Sequence, residues 1–207
     1  KRVRQAIAYA INNQDIVDSI YNGSATVATS PIPKITTGHN ENSNPYTQNI
    51  EKAKELLAEA GYADGFNIVL NVNEDNQRVD TAVVIQDNLK AIGINVEIKT
   101  YQWASYVAFV ENPAQEKGMF LMAWNIANDD PDELLYPLYH SSQIDAHTNV
   151  VFYKNEEFNN LISKARETTD KEKRIELYKK AQDIIQEELP HYAILYPMQN
   201  FAYKKSI

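Results

Sequence analysis

The densest group of side chains that could do chemistry lies in the segment 125–133, Asn-Ile-Ala-Asn-Asp-Asp-Pro-Asp-Glu. It directly follows an apolar run, residues 118–124, that is typical of a buried central strand and ends at Trp124. Loops at the carboxyl ends of such strands are where α/β proteins bind ligands. One interpretation is therefore a pocket beside Trp124, lined by amides and carboxylates. The residues that would line it are Asn125, Asn128, Asp129 and Asp130.

The acidic residues of this segment have other interpretations. Asp130 precedes Pro131, where it could cap a following helix, and Asp132 and Glu133 would then lie at the positive end of the helix dipole. Asp129 and Asp130 could also serve an enzyme together with a histidine, which would require a deep pocket and raised pKa values. The residue types alone leave three interpretations open: capping alone, capping combined with pocket lining, and the catalytic pair.

Several kinds of site find no support in the sequence. The chain has no cysteine, which excludes a thiol nucleophile and cysteine-ligated metals. It has no GxSxG, GxGxxG or GxxxxGK[ST] motif. His140 and His147 do not have the HExxH spacing, so solvated loop histidines are favoured over a metal site, and no cofactor is expected. The 20 basic against 28 acidic residues, a net charge of -8, argue against nucleic acid as a partner.

The elements that must position these residues follow from hydrophobic periodicity. Segments 66–72 and 94–101 alternate apolar and polar residues and flank a helical stretch at 78–92, which predicts a βαβ unit with parallel, neighbouring strands. Residues 24–48 indicate a long loop, and 191–198 a last strand at an edge or crossover because Pro197 interrupts it. The other predicted helices are 1–11, 14–21 capped by Asn13, 50–60, 104–110, 132–140, 155–168 and 170–188.

Both tryptophans come at comparable places in this pattern. Trp103 follows the second strand of the βαβ unit, and Trp124 ends the apolar run. Each is first a candidate for the hydrophobic core, because large aromatic residues are usually buried. The alternative is that the two share one cleft at the edge of the sheet, where they would line a ligand site.

Seven motifs occur in a characteristic order along the chain. They are VRQAIAYAI (3–11), ATSPIP (28–33), AKELLAEAGY (53–62), LKAIGINVE (89–97), PD (131–132) followed by YPLYHS (136–141), YKNEEF (153–158) and LYKKAQDII (177–185). Each is weak alone, but their order and spacing are specific and cover essentially all of the chain. This pattern resembles the family-5 extracellular solute-binding proteins, the oligopeptide, dipeptide, glutathione and nickel receptors of ABC importers.

The resemblance implies an α/β fold: a periplasmic-binding-protein-like type II lobe with a central mixed sheet flanked by helices. It aligns residues 1–207 with the carboxy-terminal ligand-binding lobe of a two-lobed receptor. The N-terminal lobe would lie upstream, and residues 190–207 are a candidate crossover toward it. The first residue is not Met and the chain opens inside a helical pattern, as expected of a fragment whose signal peptide and any lipid anchor lie upstream.

The implied function is the substrate-binding component of a peptide ABC importer, not an enzyme. It would capture a di- or oligopeptide outside the cytoplasm, in the periplasm or as a cell-surface lipoprotein, and deliver it to permease subunits. A glutathione, nickel or other solute receptor of the family is the alternative.

Two site residues come from the resemblance alone. Peptide receptors of the family often place an Asp three residues after the equivalent of Trp124, to bind the ligand's α-ammonium. That position is Ala127 here, which leaves Asp129 or Asp130 as substitutes, or a ligand without a free α-amino group there. Asn149 matches an Asn often found near the pocket.

Overall fold

The computed structural model describes residues 1–41, 43, 46–199 and 202–204. Positions 42, 44 and 45 of the predicted loop, and 200, 201 and 205–207 of the candidate crossover, lie outside the described residues. The helices are α1 (Arg2–Ala10), α2 (Asn13–Ile16), α3 (Ile50–Glu59), α4 (Asn76–Lys90), α5 (Trp103–Glu111), α6 (Asp132–Tyr139), α7 (Glu156–Glu167) and α8 (Lys171–Glu188). The strands are β1 (Ala25–Val27), β2 (Phe66–Asn73), β3 (Ile94–Tyr101), β4 (Met119–Phe120) and β5 (Leu195–Pro197).

A parallel sheet of order β3-β2-β4 lies at the centre of the βαβ unit. Strands β2 and β3 pair in parallel from Phe66 opposite Ile94 to Asn73 opposite Tyr101, and α4 makes the crossover between them, which confirms the predicted unit. The predicted α/β class is confirmed as well. Parallel and antiparallel pairings are divided between two sheets, because β1 and β5 form a separate antiparallel pair.

The prediction that residues 118–124 form a buried central strand is wrong. Only Met119 and Phe120 pair, both with β2, and β2 is the central strand. The chain then leaves the sheet, and Met122 and Trp124 are 42% and 41% exposed. An apolar run has the same appearance in sequence whether it is covered by core or lies exposed at a surface, so periodicity alone could not separate the two.

The helix predictions hold to within two residues at each end. One cap differs, because Asn12 rather than Asn13 accepts the first backbone N–H groups of α2, and residues Val17–Tyr21 continue that helix as a π-helical turn. Strand β1 lies in the segment predicted as loop, since three paired residues are too few to show an alternation. Its partner β5 holds Pro197, in keeping with the predicted edge position.

Two clusters of buried apolar side chains hold the elements together. The first lies between the parallel sheet and α1, α3 and α4, and its most deeply buried large side chains include Ile16, Leu57, Leu70, Ile85, Leu89 and Ile94. The second lies among α6, α7 and α8, and includes Leu135, Tyr139, Phe158, Ile162, Tyr178 and Ile185. Among the described residues, no helix combines the length and apolarity that crossing a bilayer would require.

Candidate ligand-binding site

The two tryptophans lie at the same edge of the parallel sheet. Trp103 begins α5 just after β3, and Trp124 follows β4, and these strands flank β2 on either side. Because strands in a sheet are about 4.8 Å apart, the two chain segments leave it roughly 10 Å from each other. Trp103 is 48% exposed and Trp124 is 41% exposed, so neither belongs to the core. That they share one cleft stays a prediction.

A buried amide on β2 fixes the segments that carry these rings. Asn71 is 2% exposed, and its Nδ2 donates to the carbonyl oxygens of Lys117 (2.6 Å) and Met119 (3.0 Å). Its Oδ1 accepts the Tyr101 hydroxyl at 3.0 Å. The side chain thus joins the central strand to both of its neighbours.

Tyr106 continues this network from α5. Its hydroxyl lies within hydrogen-bond distance of the Asn71 carbonyl (3.2 Å) and of the Leu121 carbonyl, where the chain leaves β4. Burial raises the pKa of Tyr106, so the hydroxyl stays protonated as a donor. The sequence alternation placed Asn71 on the polar face of β2. Its burial was therefore missed, although Asn is an uncommon residue in strands.

The segment after Trp124 is folded around one carboxylate. Glu133 accepts the backbone N–H of Asn128 (2.9 Å) and of Ala127 (2.7 Å), and the Asn128 side chain at 2.5 Å. These bonds lower the pKa of Glu133, the Asn128 N–H most strongly. The indole Nε1 of Trp124 donates to the Glu133 carbonyl at 2.8 Å, which holds the ring against the start of α6. Asn125 is exposed on the same loop.

The other acidic residues of the loop are also engaged within the chain. Asp129 accepts both the hydroxyl and the backbone N–H of Thr37, which lower its pKa. Arg174 donates to both oxygens of Asp130, at 3.0 and 2.9 Å, and Asp130 also accepts the backbone N–H of Asp132 at 2.9 Å, as capping requires. A catalytic acid pair would need raised pKa values. The pKa of Asp129 is lowered instead, so that alternative is wrong for Asp129.

Asn149 is buried inside its own loop. Its Nδ2 donates to the carbonyls of His140 (3.2 Å) and Tyr153 (2.9 Å), and its Oδ1 accepts the Tyr153 N–H at 3.0 Å. With 0% exposure, its side chain orders the turn before α7 and presents no free group to solvent. His147 is exposed, and within the described ranges no three His, Asp or Glu side chains come together as metal ligands would.

Comparison with known proteins identifies the family. Residues 1–146 match the model of the bacterial extracellular solute-binding proteins, family 5, in its middle part. The chain belongs to this family. It is 35% identical to the heme-binding protein A of Haemophilus influenzae over 91% of its own length and 35% of that relative's, and 34% identical to the dipeptide-binding protein of Escherichia coli over 91% and 36%.

Solved structures of family-5 relatives have the same fold. The periplasmic binding protein DppA from Helicobacter pylori in complex with the peptide STSA superposes with a TM-score of 0.89 at 36% identity, covering 95% of this chain and 38% of that one. A dipeptide-binding protein from Pseudoalteromonas sp. SM9913 in complex with Met-Leu gives 0.90 at 30% identity, over 96% and 40%. The family-5 chain thus spans between a third and two-fifths of the length of these relatives, which are binding proteins rather than enzymes.

Proposed function

We propose that this chain is the carboxy-terminal ligand-binding lobe of a receptor that captures di- or oligopeptides for an ABC importer. The observation that carries the proposal is the exposed pair Trp103 and Trp124 at the carboxyl edge of the sheet, in a family-5 chain whose relatives include structures holding peptides. Large aromatic rings that remain exposed on a folded lobe offer apolar surface to a ligand.

The receptor would have two lobes that close on the ligand by a hinge motion, with this chain contributing one side of the site. The carboxyl edge of the parallel sheet would face the second lobe, and residues 190–207 would lead toward it. Capture would occur outside the cytoplasm, either in the periplasm or on the cell surface through a lipid anchor, and permease subunits would receive the ligand.

Backbone groups of the peptide would supply most of the polar contacts. The carboxylates of Asp129, Asp130 and Glu133 are already bonded within the lobe, so they act by shaping the loop that carries Asn125, Ala127 and Asn128. Asn149 would act in the same indirect way. Contacts bridged by water would let the site accept varied side chains, since such contacts adapt to different ligands.

Calorimetry on the full-length protein tests the proposal. The panel comprises di-, tri- and pentapeptides, glutathione, a nickel chelate and haem, the last because one relative is named as a heme-binding protein. At least one peptide is expected to bind with a Kd below about 100 μM. Binding of glutathione, nickel or haem with no peptide binding would contradict the peptide assignment while keeping the family.

Replacing Trp124 by Ala tests the position of the site. The ring is 41% exposed, so we expect peptide affinity to fall about tenfold or more while the melting temperature changes by a few degrees. Val83→Ala serves as the control, because Val83 is 50% exposed on α4 and does not belong to the proposed site. A large loss of stability with unchanged affinity would place Trp124 among structural residues instead.

A further inference from the structure

We propose that Met122 is an oxidant-sensitive position of the ligand-binding edge, where conversion of its thioether to the sulfoxide weakens peptide binding reversibly. The inference rests on the proposed function and deepens it by naming a regulation of the same site. Met122 follows β4, where the chain leaves the parallel sheet, and it lies two residues before Trp124. The two side chains are exposed to almost the same extent, 42% and 41%.

Hydrogen bonds on both sides of Met122 hold it at this edge. Before it, the backbone N–H of Leu121 donates to the carbonyl of Asn71 at 3.1 Å, which extends the pairing with β2 by one residue. After it, the indole of Trp124 donates to the carbonyl of Glu133 at 2.8 Å. Because both anchors fix the backbone at the surface, the thioether between them stays accessible to solvent and to small solutes.

The three methionines of the chain differ in their surroundings. Met119 pairs with β2 and packs, partly buried, against the first apolar cluster. Met198 is 47% exposed but directly follows β5, and its backbone N–H donates to the carbonyl of Ser24 at 2.8 Å. Met122 is thus the exposed methionine of the ligand edge, and Met198 is a similarly exposed one outside the proposed site. The chain has no cysteine, so the methionine thioethers are its main targets for a peroxide.

The reaction requires only a peroxide, and the proposed location outside the cytoplasm is an oxidising one. The sulfur attacks one oxygen of hydrogen peroxide, and the O–O bond breaks as the S–O bond forms. Sulfur is oxidised by two electrons while the peroxide is reduced to water. The sulfoxide is polar where the thioether was apolar, so an apolar peptide side chain covering it would strip its oxygen of water without a replacing hydrogen bond. Reductases specific for the two sulfoxide epimers restore the thioether.

The test treats the full-length protein with hydrogen peroxide, removes the reagent and measures peptide affinity by calorimetry. The probe is Ala-Phe-Ala where it binds, and otherwise the tightest-binding peptide of the panel. We expect the oxidised wild type to bind it about tenfold more weakly than the untreated protein, and the two methionine sulfoxide reductases to restore the affinity. Peptide mass spectrometry should find the added oxygen at Met122, and bound peptide should slow its addition there but not at Met198.

Two variants assign the effect to one sulfur. In Met122→Leu, peroxide should change the affinity by less than about twofold relative to the same variant untreated, because leucine has no thioether. Met198→Leu is the matched control and should keep the full loss. A loss that persists in Met122→Leu, unchanged affinity with Met122 oxidised, or oxidation of Met198 without Met122 would overturn the inference while peptide binding stands. If no peptide of any kind binds, the proposed function fails first and the inference fails with it.

Discussion

At the scale of single residues, the amide of Asn71 links the two segments that carry the exposed tryptophans. It bonds to the chain before and within β4 on one side and to Tyr101 of β3 on the other. A buried polar group of this kind is stabilising only while every partner is present, because each unbonded group would lose its hydration without replacement. Asn71 is therefore a positioning residue for the ligand edge.

Asn71→Ala should lower the free energy of unfolding by about 3 kcal/mol, since it leaves two carbonyls and a hydroxyl without their partner. Asn95→Ala is the matched control, because Asn95 is exposed on β3 and shares one 3.0 Å bond with Asn67. It should change stability by less than about 0.5 kcal/mol. Urea unfolding measures both, and equal losses in the two variants would contradict the positioning role.

At the scale of elements, the start of the βαβ unit depends on two glycines in contact. Gly65 precedes β2 and Gly93 precedes β3, and a Cβ on Gly65 would lie 1.9 Å from the Gly93 carbonyl oxygen. Gly65 also has a φ of +74°, which side chains other than glycine's rarely adopt. The parallel strands can begin side by side because Gly65 carries no side chain, whereas a Cβ on Gly93 would lie 3.4 Å or more from its neighbours.

Gly65→Ala is therefore expected to cost about 3 kcal/mol or more, from backbone displacement added to the strain of positive φ. Gly61→Ala isolates the strain, because Gly61 has a φ of +84° with nothing within 4 Å of its would-be Cβ. Its cost should be about 1 kcal/mol. The two variants are compared by their urea midpoints, provided that the unfolding free energy depends equally steeply on urea concentration in both. Similar midpoints would rule out the steric contact.

The elements were predictable where local signals define them. Helix ends are marked by residues next to the helix in sequence, so their bounds follow from sequence. Such markers are the glycines after α3 and α4 and the N-caps Asn49, Asp75, Asn155 and Asp170. The partners of the loop acids do not. Thr37 is 92 residues from Asp129, and Arg174 is 44 from Asp130. No local pattern records such pairs, which is why the carboxylates looked free to bind a ligand.

At the scale of the molecule, one histidine lies where the parallel sheet meets the helical cluster. The ring of His191 is 6.3 Å from that of Phe120 on β4 and 5.2 Å from that of Tyr139 on α6, measured between centroids. His191 is partly buried, and this burial lowers its pKa to about 4, so the ring is neutral near pH 7 and packs as an aromatic group between the two parts.

The stability of the molecule should consequently depend on pH through His191. The unfolded chain takes up this proton near pH 6.5 and the folded one only near 4, so between these values the unfolded state binds more protons and stability falls as pH is lowered. From pH 7 to pH 5 the loss amounts to about 2 kcal/mol. His191→Gln should remove this part of the pH dependence, because glutamine does not titrate.

Urea unfolding at pH 7 and pH 5 gives the change in unfolding free energy for wild type and variant, and the difference between the two changes is the contribution of His191. Asp129 and Glu133 stay charged over this range, because their pKa values are lowered. His147→Asn is the control: His147 is exposed, and asparagine tolerates its φ of 59°. The control should keep the wild-type pH dependence. If His191→Gln keeps it too, His191 is accessible enough to take up its proton in the folded state, and the sheet and helical cluster do not enclose it.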